Sequence, residues 1–336
     1  MPANWPFRPP ARLNRDRRGL PAFWSDGSSC AVGCRPDGAH RGWPIKPFHR
    51  QHALRAGLNE LRPSTFHVGV DIQTPDSKKV YALQSGRAHV IESSGAEERV
   101  QVGSYIYWHV NLRVREGQSV RAFRTLVGTV KKGFGHLHLS EVRGGRYLNP
   151  LRPGGRVLSP WREVAAPVLD EPRFLSDGRI LIEAFDPQTF RIRTRHNTPV
   201  LGLAALAYRV LDRRGRPVTG LYWALRGTQN LDWSLHSRVY SSRTRPPYFW
   251  CWIRHPDCKP RWDYVLAGGL APTIESLRLP GGRYQLAAYA WDWAGNASAL
   301  RTGMDIGGGS ARKAGARSAW RPAPVRPARV RPDDTG

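Results

Sequence analysis

The sequence has no long apolar run. No stretch of about 20 consecutive apolar residues occurs in the 336-residue chain, and a membrane-spanning helix needs about that length. The first forty residues are rich in Pro and Arg and contain no apolar segment that could act as the core of a signal peptide. These absences exclude helical membrane spans and give no sign of a cleavable signal that starts at Met1.

Cysteine is scarce, and its four copies fall into two close pairs, Cys30 with Cys34 and Cys251 with Cys258. In an exported protein such pairs favour local disulfides, each worth roughly 2–3 kcal/mol at most. The alternative is a metal site made of Cys30, Cys34 and His40, near which no second cysteine pair lies in sequence. The choice depends on whether the protein leaves the cytoplasm.

Acidic residues are few. The chain has 26 Asp and Glu against 52 Lys and Arg, for a net charge of +26. A strongly basic chain is typical of nucleic-acid binding, but these residues are overwhelmingly Arg, are scattered along the chain and accompany no nucleic-acid motif. We therefore interpret the charge as a coding bias and do not expect a nucleic-acid partner. A basic surface would still attract anionic polymers, less strongly at high salt.

Histidine and aspartate follow a strand-like pattern at two places. In Phe66-His67-Val68-Gly69-Val70-Asp71-Ile72 the apolar residues alternate with the others, as in a half-buried strand. His67 and Asp71 then point the same way, and Gly69 between them adds no side chain. In His136-Leu137-His138-Leu139 both imidazoles likewise share a face. Glu141 is an odd number of residues from His138, which predicts that it turns away from that face.

The group is completed by His109 in Tyr107-Trp108-His109-Val110. A catalytic zinc usually takes three protein ligands and keeps one position open. His67, Asp71, His109, His136 and His138 offer five candidates for three positions, and the two left over would suit general acid–base work or oxyanion stabilisation. The remaining histidines lack such partners, and we expect surface or structural roles for them: His40, His49, His52, His89, His196, His236 and His255.

These motifs resemble those of the lysostaphin-like, or LytM-type, zinc metalloendopeptidases, which cut peptide bridges in bacterial peptidoglycan. The likeness covers H-x-G-x-D at 67–71, aromatic-x-His at 107–109, the v-x-x-G-q-x-V turn at 114–120, H-x-H at 136–138 and Asn-Pro at 149–150. It runs from about Gly42 to about Pro153.

The resemblance implies one Zn²⁺ held by His67, Asp71 and His138, with His109 and His136 as catalytic imidazoles. It also implies a compact antiparallel β fold, a peptidoglycan or other wall-peptide substrate, and secretion to the cell envelope. Because no signal peptide is visible, we expect the natural start to lie upstream of Met1.

The predicted fold class is all-β, in five regions. We expect a flexible arm over 1–40, a zinc-peptidase domain over 41–155, a linker over 156–167, an Ig-like β-sandwich over 168–307 and a disordered tail over 308–336. Recurrent strand-like runs and the turn Trp291-Asp292-Trp293-Ala294-Gly295-Asn296, which resembles a turn of bacterial Ig-like domains, support the sandwich.

The second region is rich in Trp and contains two isolated acids of interest. Its tryptophans could form a sugar-stacking platform, but we expect most of them in the sandwich core. Asp186 and Asp292 raise the idea of a calcium site, although their spacing follows no known calcium-binding pattern.

Two functions of different class follow from the sequence. The first is a zinc endopeptidase of the cell wall. The second is a non-enzymatic wall-binding or regulatory protein that keeps the peptidase fold. Retention of all five site residues favours the enzyme.

Overall fold

The structure is a computed structural model that describes residues 41–152, 156–189, 200–246, 261–307 and 310–313. Regular structure within these ranges is almost entirely antiparallel β-sheet, which confirms the predicted all-β class. Among these residues no helix is long and apolar enough to cross a bilayer. The predicted N-terminal arm and both cysteine pairs lie outside the described residues.

The first half of the chain forms two antiparallel sheets. The larger has the order β1-β2-β10-β6-β5-β4-β8, with β11 paired to β10, and the smaller has the order β3-β9-β7. The strands are β1 (Leu54–Ala56), β2 (Val70–Gln73), β3 (Lys79–Tyr81), β4 (Gly86–Glu92), β5 (Arg99–Val102), β6 (Tyr105–Trp108), β7 (Val110–Leu112), β8 (Ser119–Val120), β9 (Leu126–Val130), β10 (His136–Arg143) and β11 (Arg146–Leu148).

One apolar core joins these two sheets. Val70 and Ile72 of β2 and Leu137 and Leu139 of β10 are fully buried in it, together with Val130 of β9. Full burial of such side chains stabilises the fold by roughly 1.5–3 kcal/mol each. Because side chains alternate along a strand, the same burial directs Asp71, His136 and His138 to the opposite face of the large sheet.

The second half forms two further five-stranded sheets. In one, β14 pairs with β12, β13, β15 and β18; the other has the order β17-β16-β19-β20-β21. The strands are β12 (Val168–Leu169), β13 (Arg173–Phe174), β14 (Ile180–Pro187), β15 (Val200–Leu201), β16 (Ala205–Leu211), β17 (Tyr222–Arg226), β18 (Asp263–Ala267), β19 (Gly282–Trp291), β20 (Ala297–Gly307) and β21 (Ser310–Lys313). The short helix α1 spans His236–Val239, and 3-10 turns span Trp233–Leu235 and Glu275–Leu277.

Side chains from both sheets of the second half share a core, which includes Ile182, Tyr208, Tyr264 and Leu286. Trp262, Trp291 and Trp293 are also buried. This places three of the tryptophans inside the fold rather than on a sugar-binding surface. The Ig-like assignment itself stays a prediction.

The two halves are packed together rather than held apart. Val157, Leu158 and Trp161, from the segment predicted as a linker, are buried in the core of the first half, as is Trp293 of the second half. The domain boundaries themselves stay predictions.

One correction concerns the predicted disordered tail. Four of its residues, Ser310–Lys313, form β21, because the edge of β20 offers free backbone partners to which this segment pairs in antiparallel register. The rest of the tail lies outside the described residues.

Candidate metal centre

Strand pairing brings the predicted site residues together from three parts of the chain. Asp71 of β2 lies opposite His138 of β10, and His138 lies opposite Trp108 of β6 on its other side. His67 precedes β2 and is fixed by backbone hydrogen bonds to residues 59 and 60, both of 2.8 Å. The centre is therefore set into the middle of the large sheet.

Three ligand-type atoms converge at this point. Nε2 of His67 lies 3.0 Å from Oδ1 of Asp71 and 2.8 Å from Nδ1 of His138, and the last two atoms are 3.1 Å apart. All three side chains are buried. Two atoms that each lie 2.0–2.1 Å from a tetrahedral zinc are roughly 3.3 Å apart. The observed spacing is close to that value, so this donor set fits a zinc ion after a small expansion.

The protonation of the group favours a cation at its centre. Nδ1 of His67 lies 2.7 Å from the carbonyl oxygen of Gly57, which can only accept, so Nδ1 carries the proton. Burial lowers the pKa of His67 to about 4, which leaves Nε2 as a bare lone pair at neutral pH. Burial favours the neutral acid for Asp71, but His67, His136 and His138 together hold its pKa well below the ordinary value. Asp71 is thus an anion.

The third ligand candidate, His138, is oriented by a hydrogen bond to a residue outside the group of three. Its Nε2 lies 3.0 Å from Oγ of Ser140, which also accepts a hydrogen bond of 3.1 Å from the indole N–H of Trp108. When Nε2–H of His138 donates to Ser140, Nδ1 is a lone pair as well. Three converging acceptors with no proton between them are what a metal ion requires, and such outer hydrogen bonds orient metal-ligating histidines.

His136 and His109 stand beside these three residues. Nε2 of His136 lies 3.5 Å from Oδ1 of Asp71, and its ring centroid lies 5.1 Å from that of His109. Both rings direct Nδ1 to a backbone carbonyl, His136 to Phe134 at 2.7 Å and His109 to Ala96 at 2.9 Å. Burial lowers the pKa of His109, and lowers that of His136 to about 3, so both are neutral at pH 7 with Nε2 unprotonated.

The backbone at His109 is unusual, and the sequence pattern did not reveal it. Its φ of 59° lies in the left-handed region, which costs a non-glycine residue roughly 1–3 kcal/mol. The residue lies where the chain leaves β6 of the large sheet and enters β7 of the small one. Its ring stacks on Phe134, with centroids 4.3 Å apart. The left-handed step turns His109 toward the centre.

Gly69 is also required by backbone packing, beyond the prediction that it adds no side chain between His67 and Asp71. A Cβ added there would lie 2.3 Å from the carbonyl oxygen of Leu139 and 2.8 Å from Nε2 of His138. The glycine is therefore required by the close approach of β10 and of the ligating ring.

Sequence reasoning also missed Glu60 and Arg62. Oε1 of Glu60 accepts hydrogen bonds from the backbone N–H groups of Gly57 at 2.8 Å and Gly202 at 3.3 Å. Gly57 is the residue whose carbonyl orients His67, so Glu60 supports that ligand from behind. A guanidinium nitrogen of Arg62 lies 3.7 Å from Oδ2 of Asp71. Nothing in the local sequence signals either role, because both depend on contacts formed by folding.

Glu141 turns away from the centre, as the alternation predicts. It is fully buried on the core side, where Arg152 donates two hydrogen bonds of 2.6 and 2.9 Å to its carboxylate. The described histidines outside the centre have other partners. His89 is exposed and pairs with Glu116 at 3.2 Å, and His236 stacks on Trp233.

Comparison with known proteins adds little. No family model matches the chain, and no curated protein matches it. Among solved structures, it is similar to the antimicrobial peptidase lysostaphin from Staphylococcus simulans, at 16% identity over 53% of this chain and 75% of that chain, with a TM-score of 0.26. A likeness this weak carries no argument about fold or function.

Proposed function

We propose that this chain is a zinc metalloendopeptidase that hydrolyses peptide bonds in the crosslinks of bacterial peptidoglycan. In this proposal His67, Asp71 and His138 hold the zinc, and His109 and His136 are the catalytic residues. The observation that carries it is the convergence of three buried acceptor atoms within 3.1 Å, beside two neutral imidazoles. The peptidoglycan substrate rests on the motif resemblance in residues 67–138.

The two imidazoles supply the proton chemistry. A zinc ion bound at the centre would contribute Lewis acidity, which lowers the pKa of water toward about 7 and polarises a peptide carbonyl. His109 and His136 each present Nε2 as a base, so either can take the proton of the attacking water and return it to the leaving amine. The ring that holds a proton can also donate a hydrogen bond to the oxyanion. The division of these two roles stays open.

The proposed setting is the cell envelope. Peptidoglycan lies outside the cytoplasm, so the proposal requires export. The net charge of +26 would attract anionic wall polymers and so raise the local concentration of the protein at its substrate. Binding of the whole protein to such walls should weaken as salt is raised.

Mass spectrometry of purified peptidoglycan tests the proposal. The zinc-loaded protein should produce new peptide ends, and a sample treated with a chelator should produce none. The matched variant is His89→Ala, which removes an exposed histidine of β4, a strand that contributes no residue to the centre, and should cut like the wild type. An absence of new ends from folded protein that holds stoichiometric zinc would contradict the proposal and favour the non-enzymatic wall-binding alternative.

A further inference from the structure

A second cluster of potential ligands lies away from the His-Asp-His centre. It consists of the carboxylates of Glu163, Asp186 and Asp292, each of which offers an oxygen within 4.8 Å of the others. The three side chains are 5%, 1% and 0% exposed. They come from the segment before β12, from β14 and from the turn between β19 and β20. Three distant parts of the chain thus place three acids in one buried space.

Two of the three carboxylates are held in position by neutral donors. Oδ1 of Asp292 accepts hydrogen bonds of 2.7–2.9 Å from the backbone N–H groups of residues 294–296. Oε1 of Glu163 accepts from the N–H groups of Ala165 and Thr189 at 2.7 and 3.1 Å. The Asn296 amide donates to both acids, at 2.7 Å to Asp292 and 3.1 Å to Glu163. These bonds fix the geometry but bring no positive charge.

Asp186 differs from both, because among the residues that the structure describes its buried Oδ1 has no hydrogen-bond partner. An ionised carboxylate in that state is expensive, since burial removes its hydration and nothing replaces it. Burial, and then the charges of Asp292 and Glu163, raise its pKa well above the ordinary value. A cation near the cluster, Arg156, donates from its guanidinium to the carbonyl oxygens of Leu151 and Trp293 and not to Asp186. No cation within the described part of the chain therefore pairs directly with Asp186.

We propose that Glu163, Asp186 and Asp292 bind one hard divalent cation, and that the natural ion is Ca²⁺. The donors are all oxygens, which suits Ca²⁺ and not the nitrogen- and sulfur-preferring transition metals. Three carboxylates would bring charge enough to bind it, and Oδ1 of Asp186 would gain the partner that it lacks. Val164, next to Glu163, is 72% exposed, so the chain that carries Glu163 reaches the surface one residue away.

The consequence of binding is structural. Glu163 belongs to the segment whose Trp161 packs on the core of the first half, and it is hydrogen-bonded to Thr189 and Asn296 of the second half. A cation shared with Asp186 and Asp292 would tie this segment to β14 and to the β19–β20 turn. Calcium should therefore stabilise the packing of the two halves without entering the His-Asp-His centre.

Thermal unfolding of the full chain, with zinc fixed in all samples, tests the proposal. Calcium at about 100 times its Kd should raise the wild-type Tm by roughly 5 °C or more relative to calcium-depleted protein. Asp186→Asn should lose this response and, without calcium, should melt no lower than the wild type, because one repelling charge is gone. Asp212→Asn, which changes an acid outside the cluster, should respond to calcium like the wild type.

A second measurement does not depend on any variant. Tb³⁺ should bind the wild-type protein and emit light when tryptophan is excited, because Trp293 adjoins Asp292 in sequence, and Ca²⁺ should abolish the signal by displacement. Equal Tm values with and without calcium, or a full calcium response in Asp186→Asn, would overturn the proposal.

Discussion

Glu60, the buried acid behind the metal centre, should make the stability of the protein depend on pH. Glu60 is 2% exposed, and burial raises its pKa to about 7 from an ordinary value of 4.5. Between pH 4.5 and 7 the folded chain therefore holds a proton on Glu60 more often than the unfolded chain does. The contribution of Glu60 to stability must fall as pH rises through this window and must level off above it. A shift of about 2.5 pKa units corresponds to roughly 3 kcal/mol, as an upper limit.

Glu60→Gln removes this dependence, because the amide does not ionise and its oxygen can still accept from Gly57 and Gly202. We expect the variant to match the wild type near pH 4.5 and to exceed its unfolding free energy by about 1–3 kcal/mol at pH 8. Urea unfolding at a series of pH values, with chelator present so that metal loading does not vary, measures the difference. The unfolding free energy of the exposed control Glu97→Gln should change with pH in parallel with that of the wild type. A Glu60→Gln curve that also runs parallel would refute the reasoning.

Three further predictions concern the packing of the centre and the buried ion pair on the opposite face of β10. Gly69→Ala would place a Cβ 2.8 Å from Nε2 of His138, so zinc affinity measured by chelator competition should fall at least ~10-fold; an unchanged affinity would contradict the close approach. Ser140→Ala removes the outer partner of His138 and should weaken zinc binding by about 10- to 100-fold, whereas wild-type affinity would show that the bond is dispensable. Arg152→Ala leaves Glu141 buried without its bidentate partner, so the free energy of unfolding measured with denaturant should fall by about 3 kcal/mol. A fall of less than about 1 kcal/mol would contradict this pairing.

The sheet face on which the site side chains lie could be predicted from the sequence, because side chains alternate between the two faces of a strand. Val70 and Leu137 had to be buried, so Asp71 and His138 had to point the other way. The adjacency of β2 and β10 depends on pairing between residues about 70 positions apart, which no local pattern specifies. Only the motif resemblance joined the two runs.

Other features could not be read from sequence because they arise from three-dimensional packing. The left-handed backbone at His109 follows from the crossing of the chain between two sheets. Glu60 becomes a support for His67 only when Gly57 folds between them. In the same way, Asp186 and Asp292 meet Glu163 only after two sheets and a connecting segment have packed.

The central claim is that three residues hold zinc and that two neighbouring imidazoles act on the substrate. The most direct test compares zinc content and peptidoglycan cleavage in His138→Ala and His109→Ala. We predict that the first variant loses both the metal and the activity. The second should keep one zinc per chain and lose cleavage by at least ~100-fold. Wild-type cleavage by His109→Ala, or full zinc retention by His138→Ala, would contradict the account.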